Sequence, residues 1–127
     1  QGPLLKLRLP NGRELSYVKP RIDDDSITYE GTIQSSGGWG RIESYGPKLV
    51  ENIVQATARD CLAVAIDRLE RAGFPVVFHV HDEVICEVPI GVSSAEEISK
   101  IMSGPIEWAT GLPLKADAYE CEYYRKD

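Results

Sequence analysis

Residues 45–73 read YGPKLVENIVQATARDCLAVAIDRLERAG, and this stretch decides the fold. Leu49, Val50, Ile53, Val54, Thr57, Cys61, Leu62, Ala65 and Leu69 recur at the i, i+3, i+4, i+7 spacing of one helix face. No Gly or Pro interrupts the 25 residues from Lys48 to Ala72, and Gly73 supplies a C-terminal stop. Such a helix is about 40 Å long, more than the core of a small domain requires. Before it, the chain reads as short strands. Leu4 to Leu9 alternates with Lys6 and Arg8, Pro10-Asn11-Gly12 is a strong turn signal, and Arg13 to Val18 returns as the partner strand. Residues 23–26 form a solvated loop, Ile27 to Ile33 a further strand, and residues 35–40 a flexible Ser/Gly-rich connection. After the helix, Val76 to Val80 and Val84 to Val88 read as a hairpin separated by His81-Asp82-Glu83 and ended by Pro89. Ser93 or Ser94 caps a second, shorter helix from Ala95, with Glu96 and Glu97 suited to its dipole. Gly104-Pro105 interrupts that helix, Ile106 to Thr110 adds a turn, and Leu114 to Tyr123 alternates as a last strand. The sum is α+β: an antiparallel sheet with one long helix and one shorter one.

The 127 residues make one domain, 1–127, whose character changes near residue 45. With 43% hydrophobic and 27% charged residues, extended disorder is excluded. A membrane-spanning helix is excluded too, since the longest apolar run, near Val76 to Val80, is far below about 20 residues. No secretory signal pattern opens the chain, and the absence of Met before Gln1 points to a processed, tagged or excised piece. Fourteen basic and 20 acidic residues give a net charge of −6. A nucleic-acid role must then rest on a local basic stripe or on further parts of a larger protein. Cys61, Cys86 and Cys121 are far apart and form no C-x-x-C pair, which fits reduced thiols in a cytoplasmic protein rather than a zinc framework.

Two features carry chemistry. Tight hairpin turns favour Asn-Gly or Asp-Gly, yet the tip here is His81-Asp82-Glu83, with no glycine, in the most apolar part of the chain. Local rules are broken most often at functional sites. Two carboxylates on a hairpin suit a hard cation such as Mg²⁺. The plainer alternative is an ordinary polar turn. The second feature is the polar face of the long helix. Lys48, Asn52, Gln55 and Arg59 fall within a stripe about 60° wide at 100° per residue. Long amide and basic side chains suit phosphates and minor-groove acceptors, and the alternative is a solvated face. His79 and His81 share a strand face but lack a third zinc ligand, and Asp23 to Asp25 read as solvated. Trp39, Trp108, Tyr119, Tyr123 and Tyr124 read as packing residues.

The wording of residues 45–60, YGPKLVENIVQATARD, followed about 20 residues on by His79-Val80-His81-Asp82-Glu83-Val84, resembles the C-terminal palm segment of family-A DNA polymerases, the DNA polymerase I type. KLVENIVQATARD is most similar to the phage and prophage branch. The resemblance covers residues 40–127. Residues 1–39 fit as an insertion between the fingers and the long helix, and the strand-rich part, 1–44, precedes the long helix, the catalytic hairpin, the second helix and the last strand of a palm-type sheet. It implies that Asp82 ligates the catalytic Mg²⁺ ions (Mn²⁺ being a possible substitute), that adjacent Glu83 supports the metal site, and that His81 lies against the primer strand near its 3′ end. It also implies that Gln55 reads the minor groove of the new base pair. Asn52 departs from the pattern: the better-known bacterial enzymes carry asparagine four residues before the glutamine, where this chain has Glu51, so the role of Asn52 is open. Lys48 and Arg59 come from the helix stripe alone. Primer–template DNA and a deoxynucleoside triphosphate are the implied partners.

Two-metal phosphoryl transfer needs carboxylates from at least two segments. The family's other aspartate, in a D-Y-S-like stretch, is absent, as is the R-x-x-x-K and Y-G fingers pattern. The isolated chain is therefore expected to be inactive in nucleotide addition. Two other readings stand beside this one. A small metal-dependent phosphohydrolase or nuclease would use His79, His81, Asp82 and Glu83, with Asp117 or Glu120 converging on the hairpin. A non-catalytic remnant or interaction module would bind metal weakly. A palm fragment would expose apolar surface and is expected to self-associate or take a partner chain.

Overall fold

The computed structural model describes residues 3–92 and 95–126. The elements run β1 (Leu4–Arg8), β2 (Glu14–Asp23), β3 (Ser26–Thr32), β4 (Trp39–Ser44), α1 (Gly46–Arg71), β5 (Val76–Val80), β6 (Glu83–Cys86) and α2 (Ala95–Met102), with a 3₁₀ turn at Glu107–Ala109. The fold class is α+β, with one long helix and one short one. The strands form two sheets: an antiparallel meander β1-β2-β3-β4 and the hairpin β5-β6. By its contacts the chain divides into two units, Gln1–Thr57 and Ala58–Asp127, with the division inside α1.

In the first unit, alternation sets the two faces of the sheet. Lys6 stands opposite Ser16, Arg8 opposite Glu14, and Glu30 opposite Arg41 on the polar face. Leu9 and Tyr17 are buried. The strand expected to end at Val18 continues to Asp23, through Pro20. Proline is tolerated there because the β2–β3 register shifts between Val18 and Arg21, and a bulge leaves one residue outside the ladder. Lys19 takes φ +46 in that bulge. Arg41 steadies it by donating to the Lys19 carbonyl at 3.0 Å and to Thr28 Oγ1 at 2.9 Å. The loop expected at residues 23–26 is a two-residue turn with Asp24 at φ +54. The connection expected through Gly40 is shorter, because Trp39 and Gly40 already pair with Thr32 and Gly31. Strand β4 was hidden by its Gly-rich approach.

Glu30 collects Lys19 at 3.5 Å, Arg41 at 3.9 Å and the Trp39 indole N–H at 3.5 Å. Desolvation pushes its carboxyl up, but the Trp39 hydrogen bond and the charges of Lys19 and Arg41 outweigh this and hold it below its ordinary value. A depressed carboxyl contributes stability above its unfolded-state pKa and loses it as pH falls through the folded-state value. Melting followed from pH 7 down to 3 should show this loss below the ordinary glutamate range. Glu30→Gln should flatten that limb, and an unchanged acid limb would remove Glu30 from the account.

In the second unit, Leu62, Ala65, Leu69, Phe74 and Ile106 form the core, and Leu69 is 0% exposed. Helix α1 ends in a Schellman motif. The Phe74 N–H reaches the Leu69 carbonyl at 2.9 Å, and the Gly73 N–H the Glu70 carbonyl at 3.1 Å. Gly73 has φ +89 with open space where a Cβ would lie, so backbone conformation alone demands glycine. Gly73→Ala should cost about 1 kcal/mol in urea unfolding, and no loss would show that the cap relaxes freely. The Glu70 carboxylate accepts from the Val76 N–H at 2.7 Å and fixes the start of β5.

The break expected at Gly104-Pro105 is present, with Arg68 donating to both carbonyls. The serine caps expected for α2 lie outside the described residues. One expectation is corrected: Leu114 to Tyr123 forms no strand. Leu114 and Ala116 are half-buried with Lys115 and Asp117 exposed, so the alternation is real at the start of the segment. The backbone at Ala116, however, is held by serines of α2. Ser103 Oγ accepts from the Ala116 N–H at 3.0 Å, and Ser99 Oγ donates to the Ala116 carbonyl. Side chains on a helix thus take bonds that a neighbouring strand would have made.

Candidate metal and nucleic-acid site

The hairpin tip is a two-residue connection, because Val80 pairs directly with Glu83. His81 carries φ +53, at the first central position where such turns favour glycine. Histidine is among the side chains that visit this region, at a cost of about 1 kcal/mol or more. The glycine-free tip is therefore real backbone strain. His81 and Asp82 are exposed and Glu83 is half-buried. His79 stays on β5 opposite Val84, whereas His81 has left the strand for the turn, so the two do not share a strand face as expected. The hairpin is anchored behind the tip. Phe78 meets Tyr124 edge-on with ring centroids 5.1 Å apart, and the Tyr119 hydroxyl donates to the Arg125 carbonyl at 2.7 Å.

Asp82 and Glu83 offer hard oxygen donors that fit Mg²⁺ chemically. They form only part of a ligand set: among the described residues no group of three or more His, Cys, Asp or Glu side chains could hold a metal ion. Asp117 pairs with Lys115 at 3.4 Å in an exposed segment. The convergence that the hydrolase reading requires is thus not found among the described residues. Burial, reinforced by the negative charges of Asp60 and Glu70 respectively, pushes the Cys61 and Cys86 thiols up and makes both poor nucleophiles at neutral pH.

On α1, Lys48, Gln55 and Arg59 are exposed, as the stripe requires. Lys48, Asn52 and Gln55 belong to the first unit, and Arg59, His81, Asp82 and Glu83 to the second. Glu51 Oε1 accepts from Lys48 Nζ at 3.2 Å and from Gln55 Nε2 at 3.4 Å. An acid therefore sits against a stripe that contains none. Its spacing, three residues after Lys48 and four before Gln55, was the available signal. Asn52 differs from its neighbours. It is half-buried, and its Nδ2 donates to the Tyr17 hydroxyl at 3.1 Å. No sequence signal links two residues 35 positions apart.

The second unit thus carries a hairpin with a carboxylate tip, and the first unit carries most of the amide and basic face of α1. The chain is similar to the DNA polymerase of Bacillus phage SP02, at 51% identity over 133 aligned residues. The alignment takes in 100% of this chain and 20% of that protein, so the chain spans about a fifth of the length of the curated relative it matches. No family model matches the chain, and no solved structure matches it significantly. No described helix is long and apolar enough to cross a membrane.

Proposed function

We propose that this chain is the C-terminal palm segment of a family-A DNA polymerase, acting in template-directed nucleotidyl transfer to a primer 3′ end in the cytoplasm of a bacterial or phage-infected cell. The observation that carries this reading is the whole-chain similarity to a phage DNA polymerase, joined to the strained His81-Asp82-Glu83 tip. In this role Asp82 holds Mg²⁺, with Glu83 supporting it. The metal would supply Lewis-acid stabilisation of the attacking 3′ oxygen and the leaving pyrophosphate. The paired strands β5 and β6 fix where the Asp82 carboxylate is presented. His81 bears on the primer terminus, Gln55 donates to minor-groove acceptors of the nascent pair, and Lys48 and Arg59 neutralise phosphates. One carboxylate-bearing segment cannot complete a two-metal site, so the isolated chain adds no nucleotides. Exposed Val50, Val54, Val77 and Ile90 are, on this reading, faces that the rest of the polymerase covers.

The test is a transplant. This chain replaces the aligned fifth of the phage SP02 polymerase, and primer extension is measured. Retained template-directed synthesis supports the reading, and a correctly folded but inactive chimera counts against it. Metal-dependent hydrolysis of nucleic acid by the isolated chain would favour the hydrolase alternative instead.

A further inference from the structure

Within the first unit, the four-stranded sheet is bonded to the part of α1 that carries Lys48, Asn52 and Gln55. Asn52 and Ala56 are one helical turn apart and about 40° apart around the axis, on the same side of α1. Both are held from β2 and the turn before it. The Tyr17 hydroxyl accepts from Asn52 Nδ2 at 3.1 Å, and Arg13 Nη2 donates to the Ala56 carbonyl at 3.4 Å. Tyr17 is itself buried and fixed edge-on against Tyr29, with ring centroids 4.9 Å apart at 72°. Its hydroxyl is thus delivered at a set position by the sheet. Lys48, Gln55 and Arg59 point to solvent, whereas Asn52 spends an amide N–H inward.

We infer that Asn52 is not a nucleic-acid contact but a positioning residue: through Tyr17, the four-stranded sheet sets the orientation in which Lys48 and Gln55 meet a nucleic-acid duplex. The assignment rests on the polymerase reading for its ligand and on the Tyr17–Asn52 geometry for its mechanism. It gives the first unit a function, as a buttress for the reading face of α1. At its place in the stripe Asn52 lies nearest the sheet, and the position four before Gln55 is held by Glu51, which repels phosphate.

The test uses the 127-residue chain and a fluorescein-labelled primer–template hairpin, with binding read by anisotropy at low salt and at a temperature where every variant is fully folded by circular dichroism. Tyr17→Phe and Asn52→Ala should each weaken binding by about threefold to tenfold, the effect of one hydrogen bond. The double variant should be no weaker than either single one, because both remove the same contact. Gln55→Ala should weaken binding further in every background. The ¹⁵N resonance of the Asn52 side-chain amide should move in Tyr17→Phe without any DNA present. Weakening by Asn52→Ala with none by Tyr17→Phe would overturn the inference and make Asn52 a direct contact. An Asn52 amide resonance indifferent to Tyr17→Phe would overturn it as well. Wild-type chain that binds no duplex would overturn the inference even if its Asn52 resonance responds to Tyr17→Phe, and the polymerase reading is judged separately by the transplant.

Discussion

Asp82→Asn, made in the transplanted polymerase, should lower primer extension by more than about a thousandfold. Stabilisation of developing charge by a metal ion is worth several kcal/mol, and each 1.36 kcal/mol is a factor of ten in rate. Asparagine keeps the size of the side chain but loses the charge that holds a divalent cation. Because Asp82 is exposed at the tip, the substitution should leave stability within about 0.5 kcal/mol of the parent. The loss should therefore fall on kcat, with primer–template affinity little changed. Glu83→Gln should cost less, about tenfold to a hundredfold, as expected of a group that supports a ligand. Isolated wild-type chain titrated with Mn²⁺ should show broadening confined to the hairpin tip, and Asp82→Ala should abolish it. An Asp82→Asn chimera that extends primers at the parental rate would remove Asp82 from the metal site.

Leu69→Ala should destabilise the second unit by about 3 kcal/mol. Leu69 is completely buried, and large-to-small changes at such sites lose both transfer free energy and the contacts lining the new cavity. Its backbone carbonyl also accepts the Phe74 N–H in the helix cap, so the side chain and the chain reversal are stabilised together. Chemical denaturation with hydrogen exchange on the same samples would locate the loss. The expected outcome is reduced protection in α1 beyond Ala58 and in β5–β6. The meander β1–β4 should keep its protection, since it belongs to the other unit. Uniform loss across all four strands of the meander would show that the two units unfold as one.

Most of the order of elements, β4 and the absent last strand excepted, was legible in the sequence because it is written locally. The 3.6-residue period of residues 48–72 and the stop at Gly73 placed α1 within two residues of its observed start and one of its end. The β-branched runs on either side of His81 placed the hairpin. The missing glycine at its tip marked a broken turn rule, and the structure resolves it as a left-handed φ at His81. Asp82 and Glu83 were singled out on the same ground.

Other features depend on partners distant in the chain. The alternation at the start of residues 114–123 is the same whether a strand or two serines receive it, and only the proximity of Ser99 and Ser103 to Ala116 decided for the serines. Pro20 argues against a long β2 until the bulge and the Arg41 bond to the Lys19 carbonyl absorb it. Asn52 shares its helical azimuth with Lys48, Gln55 and Arg59, so periodicity assigns all four to one stripe. The hydroxyl of Tyr17, brought to it by a strand from the other end of the same unit, turns Asn52 inward. Periodicity and turn chemistry are properties of neighbouring residues and survive in the bare sequence. Which hydrogen bond a polar side chain finally makes depends on what folding brings within about 3 Å of it, and that was settled only in three dimensions.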